Sequence, residues 1–131
     1  MTISDFIENK KRLYKQLESC YCPAIQEIVH FNSDGLNHLL YDRHRPRNIK
    51  EKYYRMGLVP YITEAISKAT KAKVTEYAKP PCILWVLEWV EIKDDDNSKI
   101  KIKVILKKRG TGNVCFWSVM ARKTKKPKLN T

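Results

Sequence analysis

Glycine is scarce in this chain, which has four glycines among 131 residues. Phosphate-binding loops of nucleotide enzymes need clustered glycines, because only glycine lets the backbone approach the phosphates closely. Neither a G-x-x-x-x-G-K-[ST] loop nor a dinucleotide-binding loop is present, and the G-x-S-x-G turn of serine hydrolases is also missing. These absences argue against a nucleotide-dependent enzyme and against a serine hydrolase of that type.

A long hydrophobic run is missing as well. The most apolar stretch, residues 80–90, contains Glu88 and is too short to span a bilayer. The first ten residues contain two acids and no apolar segment, which is not the pattern of a signal peptide. We therefore expect a cytoplasmic protein with no membrane-spanning segment.

Cysteine is present without the spacing of a metal site. Of Cys20, Cys22, Cys82 and Cys115, only the first two are close, and no second Cys or His pair has zinc-ligand spacing. The three aspartates at residues 94–96 fit a hairpin turn better than a magnesium site. A site made by all four cysteines stays conceivable, but reduced thiols without a metal or cofactor are the expectation.

Acidic residues are outnumbered, with 14 Asp and Glu against 26 Lys and Arg, so the net charge is +12. The excess lies in three blocks, at residues 41–55, 99–109 and 121–131, and the last two contain no acid. A solvated surface normally mixes both signs, so this clustering favours a polyanionic partner. Nucleic acid is the first candidate and an anionic membrane surface the second.

The hydrophobic period changes along the chain. Helical spacing dominates to about residue 70, and a turn cluster at 32–35 precedes a helix that should continue to just before Pro46. Further helices are expected at 49–56 and 58–70, and a short strand at 26–31. The second half follows the period of strands, at 82–92, 100–106 and 113–120.

This order predicts an α+β domain over residues 1–120, followed by a basic C-terminal tail at 121–131. The N-terminal helices should pack on one face of a four- or five-stranded antiparallel β-meander.

A register that places Ile92 opposite Ile100 divides the sheet into two faces. The face turned to the helices should then carry Cys82, Leu84, Val86, Val90, Ile100, Ile102, Val104 and Leu106. The other face should carry Trp85, Trp89, Glu91, Lys101, Lys103 and Lys107. Aromatic rings that stack on bases, interleaved with lysines that meet phosphates, suit single-stranded nucleic acid. The alternative is that the tryptophans are core residues and the lysines only keep the protein soluble.

Two histidines and three arginines fall within residues 38–47, close to the predicted helix C-terminus. A histidine pair can act as general base and general acid, and arginine presents a planar fork to phosphate oxygens. Metal-independent RNA cleavage needs that combination. Either histidine alone is more often a packed structural residue, but the cluster in so basic a chain favours phosphate chemistry.

Four short motifs occur in order: VHFNSDG at 29–35, the H-[IL]-x-x-x-R-H pattern from His38 to His44, LVPYI at 58–62 and FWSV at 116–119. Through them, residues 25–120 resemble the phage and mobile-element branch of the barnase–EndoU–colicin–RelE-like nucleases. The resemblance implies the fold of small bacterial RNase toxins, with metal-free RNA cleavage on the sheet surface. It also implies that His38 and His44 are acid–base residues, that Arg43 and Arg45 bind phosphate, and that Ser118 hydrogen-bonds the substrate.

The expected function is therefore a toxin-type, metal-independent endoribonuclease that forms a 2′,3′-cyclic phosphate from tRNA or mRNA. The expected RNA-binding residues are Arg47, Lys101, Lys103, Lys107, Trp85 and Trp89. An acidic antitoxin or immunity protein would be the natural protein partner, because it could cover the basic cleft. A non-catalytic nucleic-acid-binding domain and a module that docks on acidic protein are the alternatives.

Overall fold

The structure is a computed structural model and describes residues 2–77 and 81–123. The helices are α1 (Ile3–Lys15), α2 (Ser33–Leu40), α3 (Ile49–Gly57) and α4 (Ile62–Lys68), the last preceded by a 3₁₀ turn at Val59–Tyr61. The strands are β1 (Cys20–Cys22), β2 (Glu27–His30), β3 (Tyr41–Asp42), β4 (Arg45–Pro46), β5 (Ala72–Tyr77), β6 (Cys82–Leu87), β7 (Val90–Lys93), β8 (Lys99–Arg109) and β9 (Val114–Lys123). Within the described ranges, no helix is long and apolar enough to cross a bilayer.

Side-chain caps fix where the helices begin. Thr2 and Asp5 form a capping box at the start of α1, in which each side chain accepts a hydrogen bond from the other's backbone N–H. Asn32 caps α2 by accepting from the Gly35 N–H at 3.1 Å, and Asn48 caps α3 in the same way. These caps set the N-terminal ends of α1, α2 and α3.

The end of α2 differs from the prediction. The helix stops at Leu40, not just before Pro46, and residues 41–46 turn back as the small β3–β4 hairpin. Proline has no backbone N–H to donate within a helix, and Pro46 lies in β4. The N–H of the next residue, Arg47, donates to the Leu40 carbonyl at 2.9 Å. The predicted place of His44 at a helix C-terminus is therefore wrong, because this residue lies in a hairpin.

The predicted α+β architecture is confirmed, but the sheet is larger than a simple meander. Among the described residues the main sheet has seven strands, in the order β1-β2-β9-β8-β6-β5, with β7 also paired to β8. Strand β2 pairs with β9 in parallel, through Val29 with Val114 and His30 with Cys115. The predicted four- or five-stranded antiparallel meander is therefore wrong in the number of strands and in being wholly antiparallel. The cause is the β1–β2 hairpin, which lies between α1 and α2 in the chain and joins the sheet beside its last strand. For the same reason the helices do not all precede the sheet.

The core lies between this sheet and the helices. Its sheet side includes Ile102, Val104 and Leu106 of β8 and Phe116 of β9, each at most 1% exposed. Its helical side includes Ile62 and Ile66 of α4, both fully buried, and α4 packs against β7 and β8. The open edge of β9 is covered by α3, whose Tyr54 hydroxyl both accepts from and donates to the Ala121 backbone, at 2.7 and 2.8 Å.

The strand register shifts by one residue between β6 and β7. The predicted pairing of Ile92 with Ile100 is confirmed in β7, whereas β6 pairs Trp85 with Leu106 and Leu84 with Lys107. A shift of one residue moves every side chain of a strand to the other face. Trp85 therefore lies on the helix side, partly buried against the core. Its predicted place on the opposite face, the lysine face that carries Lys101, Lys103 and Lys107, is wrong.

The same shift reverses the prediction for Cys82, Leu84 and Val86, which lie on the lysine face of the sheet. Its cause is at Glu88, which leaves the ladder between the two strands. The Glu88 carboxylate accepts hydrogen bonds from the Thr70 N–H and hydroxyl, at 2.6 and 2.8 Å, and the Glu88 N–H donates to the Lys71 carbonyl.

A second irregularity lies in β9. Ile105 pairs with Ser118 and Leu106 pairs with Phe116, so Trp117 is an extra residue that forms a β-bulge. The strand continues to Lys123, so residues 121–123 belong to the sheet and not to the predicted tail. The rest of that tail, residues 124–131, lies outside the described residues.

We predict that Gly35→Ala destabilises the protein, because an added Cβ would lie 2.5 Å from the Tyr14 hydroxyl and 2.7 Å from the Phe116 carbonyl oxygen. Overpacking of this kind costs about 1–3 kcal/mol of unfolding free energy. The matched control is Gly57→Ala in α3, where the nearest atom is a Phe6 ring carbon at 3.6 Å. There the better helix propensity of alanine should stabilise by about 0.5–1 kcal/mol. Urea denaturation of both variants checks this, and equal stabilities would contradict it.

Candidate active site

An open cleft of about 880 Å³ lies where α2, the β3–β4 hairpin and the β9 bulge meet. Its lining combines one imidazole pair, two carboxylates, two arginines and an indole: His38, His44, Asp34, Asp42, Arg43, Arg109 and Trp117, together with Asn37 and Tyr41. The fold thus brings His38, Arg43 and His44 together, as the sequence predicted.

His38 lies near the C-terminal end of α2 and is half-buried. Its ring stacks on Trp117 with 4.4 Å between centroids and 26° between planes. Burial lowers the pKa of His38 to about 4, helped by the positive charges of Arg47, Arg55 and Lys107 and opposed by Asp42. The imidazole is therefore neutral at pH 7 and can accept a proton.

Trp117 is the central wall of the cleft, and sequence reasoning missed it as a site residue. The bulge gives β9 one residue more than its partner strand at this point, which re-aims the side chain. The Lys107 ammonium lies 3.9 Å from the centroid of the indole, close enough for a cation–π interaction. A bulge leaves no mark in the alternating pattern that predicts strands. The only sequence signal for Trp117 was therefore its position next to Ser118, a predicted site residue.

Arg43 and His44 form the tip of the β3–β4 hairpin with a left-handed backbone, at φ 49° and 69°. Two consecutive residues with positive φ are the signature of a type I′ turn, which normally takes Asn-Gly or Gly-Gly. Holding non-glycine residues there costs about 1–3 kcal/mol each. Both side chains are exposed and line the cleft, so this strained backbone presents them to solvent.

The other predicted arginines take different places. Arg47 donates from Nε to the His38 carbonyl at 3.1 Å, so it holds the end of α2 and adds positive charge beside the imidazole. Arg45 is exposed in β4 and is not among the cleft-lining residues. Arg109, at the end of β8, lines the cleft instead, although it had been noted only as part of a basic block.

Ser118 does not agree with its predicted role. Its side chain is only 4% exposed, and its hydroxyl accepts a hydrogen bond from Arg55 Nη1 at 3.2 Å. The same nitrogen lies 3.4 Å from the Val119 carbonyl. Ser118 therefore anchors α3 to β9 next to the bulge, and its hydroxyl is already engaged.

The sheet face opposite the helices, which we call the lysine face, carries Lys101, Lys103 and Lys107 at alternate positions of β8. Trp89 belongs to this face, as predicted, because its ring lies under Lys103 and Arg122. Trp85 lies on the other face. Trp117 links the cleft to this lysine row, because it lines the cleft and its ring contacts Lys107.

The four cysteines are free thiols. Across residues 2–77 and 81–123, no three His, Cys, Asp or Glu side chains are grouped closely enough to hold a metal ion.

We predict that His38 makes stability depend on pH. The unfolded histidine binds a proton below its ordinary pKa of 6.5, whereas the folded one does so only near pH 4. The unfolded state therefore holds more protons in this range, and unfolding free energy should fall as the pH drops from 6.5 to 4. Urea titrations of wild type and His38→Gln at several pH values should give curves that diverge across this window. Parallel curves would show that His38 is not desolvated.

We predict that Arg43→Asn stabilises the protein, because asparagine tolerates a left-handed backbone better than arginine does. The gain in unfolding free energy should be a part of the left-handed penalty of about 1–2 kcal/mol. Arg45→Asn is the matched control, since it removes the same charge two residues away at a position without positive φ. Chemical denaturation at fixed salt compares the two, and an equal change in both variants would mean that the effect is electrostatic rather than backbone strain.

Comparison of the chain with protein-family models, with curated proteins and with solved structures finds no significant match in any of the three. A functional assignment therefore depends on the geometry of the cleft and of the lysine face.

Proposed function

We propose that this protein is an RNA endonuclease that cleaves by attack of a ribose 2′-hydroxyl on the adjacent phosphorus, without a metal ion. The observation that carries the proposal is the cleft, where a desolvated neutral histidine, a second histidine and two arginines line one cavity. The sequence resemblance to toxin-type nucleases supports the same activity.

The chemistry needs three functions from the protein. A general base removes the 2′-hydroxyl proton, a general acid protonates the leaving 5′-oxygen, and cations stabilise the extra negative charge on the phosphorane. The products are a 2′,3′-cyclic phosphate and a 5′-hydroxyl. Deoxyribose lacks the nucleophile, so DNA is not a substrate for this reaction.

His38 is the candidate base, because its imidazole is unprotonated at neutral pH. The burial and the neighbouring cations that lower its pKa also weaken it as a base until substrate binds. Trp117 holds the ring by stacking, which restricts its orientation. A phosphate bound in the cleft would offset the repulsion from Arg47, Arg55 and Lys107, so substrate binding favours the imidazolium that forms when His38 takes the proton.

His44 is the candidate proton donor, because the β3–β4 hairpin presents it to the same cavity. Arg43 beside it and Arg109 at the end of β8 offer permanently charged forks for the phosphate oxygens. The type I′ turn suits this task, because it presents both side chains to the cavity and transition-state stabilisation depends on groups that are already in place.

A non-catalytic nucleic-acid-binding domain is the second candidate. The observation that favours it is the lysine face, whose row of cations extends beyond the cleft and would bind a phosphate backbone whether or not cleavage follows. If the protein is a toxin, an acidic antitoxin or immunity protein that covers the cleft is the expected partner.

We predict that the protein cleaves single-stranded RNA in EDTA and leaves cyclic phosphate ends, and that the same sequence in deoxyribose form is not cut. His44→Ala and His38→Ala should each lower the single-turnover rate by at least about 100-fold, the lower range for loss of a general acid or base. RNA affinity should change by less than about tenfold, or 1.4 kcal/mol. End-group analysis, single-turnover kinetics and equilibrium binding measure these effects.

His30→Ala is the matched control, because His30 lies in β2, pairs with Cys115 and is not among the cleft-lining residues. It should cleave at the wild-type rate. Activity that disappears in EDTA and returns with Mg²⁺ would rule out this mechanism. Full activity in His44→Ala would remove that residue from it, and binding without any cleavage by the wild type would favour the second candidate.

A further inference from the structure

A second cluster of an indole and cations lies on the lysine face, away from the cleft. The Trp89 ring has the Lys103 ammonium 4.8 Å from its centroid and the Arg122 guanidinium carbon 4.4 Å from it. Both distances are within the range of cation–π attraction. One aromatic ring therefore holds two positive charges side by side.

This arrangement concentrates positive charge, although the acidic Glu91 of β7 lies opposite Lys101 on its other side. Lys101 lies directly opposite Arg122 across the β8–β9 pair, and Lys103 follows on the same face of β8. Like charges directly opposite each other destabilise a sheet. In the part of the chain that the structure describes, no carboxylate forms an ion pair with any of the three. An anionic ligand is the natural group to relieve this repulsion.

A cavity of about 720 Å³ adjoins the cluster. Trp89 and Lys103 form part of its wall, with the apolar side chains of Val86 and Leu87 and the ammonium groups of Lys71 and Lys73. Its volume is within the usual range for small-ligand sites. Glu88 also lines the cavity, but three lysines outnumber this one carboxylate, and the apolar and aromatic walls match the chemistry of a nucleoside joined to phosphate.

The cluster and the cleft are connected by one strand. Lys103 contacts Trp89, and Lys107 contacts Trp117, four residues further along the same face of β8. At about 3.3 Å per residue, the two lysine positions are about 13 Å apart. One phosphate group cannot bridge that distance, whereas a short single strand can.

We infer that Trp89, Lys103 and Arg122 form a second nucleotide-binding subsite, which holds single-stranded RNA a few nucleotides from the phosphate in the cleft. The identity of the ligand as RNA rests on the proposed function. Lys103 and Arg122 bind the phosphate, and Trp89 positions both cations while its ring borders the cavity that takes the nucleoside.

Binding of uncleavable 2′-O-methyl oligonucleotides tests the subsite without requiring catalysis. The probes are a dinucleotide and an oligomer of about eight nucleotides, within the usual site size of a single-strand-binding surface. The wild type should bind the longer probe more tightly. Trp89→Leu and Lys103→Gln should each weaken that binding by at least about fivefold, while binding of the dinucleotide changes by less than about twofold.

Trp89→Phe separates positioning from folding, because phenylalanine keeps a ring that attracts cations. It should retain most of the affinity for the longer probe. Lys15→Ala is the matched charge control, because Lys15 is exposed in α1 and should leave binding unchanged. The salt dependence offers a further readout: Lys103→Gln should lower the slope of log K against log salt by about 0.7, the value for one phosphate contact on a single strand.

Equal binding of the longer probe by wild type, Trp89→Leu and Lys103→Gln would overturn the subsite. So would an equal loss in Lys15→Ala, which would indicate only unspecific charge. In the cleavage assay, the subsite variants should raise KM for long RNA and leave kcat unchanged. If length-dependent binding is found but no RNA is cleaved, the proposed endonuclease fails while the subsite stands.

Discussion

The extra residue in β9 is the constraint on which the candidate site depends. Phe116 and Val119 both belong to the core, yet they are three positions apart, an odd spacing that a regular strand would place on opposite faces. The bulge at Trp117 lets both residues face the core, and it leaves the Trp117 side chain outside the regular in–out alternation of the strand. That side chain is the surface on which His38 stacks and which Lys107 contacts. Core packing and cleft geometry are thus coupled through one backbone irregularity.

Charge in the cleft is organised to repel as well as to attract. Arg47 and Arg55 are held in place by hydrogen bonds to the His38 carbonyl and to Ser118, so they cannot move away from the imidazole whose protonation they disfavour. Around His38, the positive charges of Arg47, Arg55 and Lys107 are opposed by the one carboxylate of Asp42, which leaves an excess of positive charge beside the imidazole. Holding these like charges close together lowers the folding stability, and a bound anion would offset that loss.

The sequence was most informative where local rules act alone. The helix that begins at residue 49, the pairing of Ile92 with Ile100 and the grouping of His38 with His44 follow from helical spacing, alternation and nearness in the chain. The face of Trp85 could not be obtained in that way. It depends on Glu88 reaching Thr70, a contact over 18 residues that displaces the strand register by one. Local pattern carries no information about such a contact.

The turn at Arg43 and His44 was missed for a related reason. Type I′ turns are predicted from Asn-Gly or Asp-Gly pairs, and here two long polar side chains take the left-handed conformation instead. Propensity favours continuing the helix, and Pro46 together with the Arg47–Leu40 hydrogen bond overrides it. Burial of Ser118 was equally hidden, because its partner Arg55 lies 63 positions away in the chain.

The position of β9 has a consequence for how the protein matures. This strand comes last in the chain among the described elements, yet it lies between β2 and β8 in the interior of the sheet. Strand β2 therefore has its parallel neighbour only when residues 114–115 are available, and the imidazole of His38 has its stacking surface only when Trp117 is in place. Contacts of such long sequence separation form late, because the loop between them must close first. During synthesis on the ribosome, the helices and the first strands emerge before β9, so the nascent chain has no assembled cleft. Any activity of that cleft begins only after β9 has emerged and has inserted into the sheet.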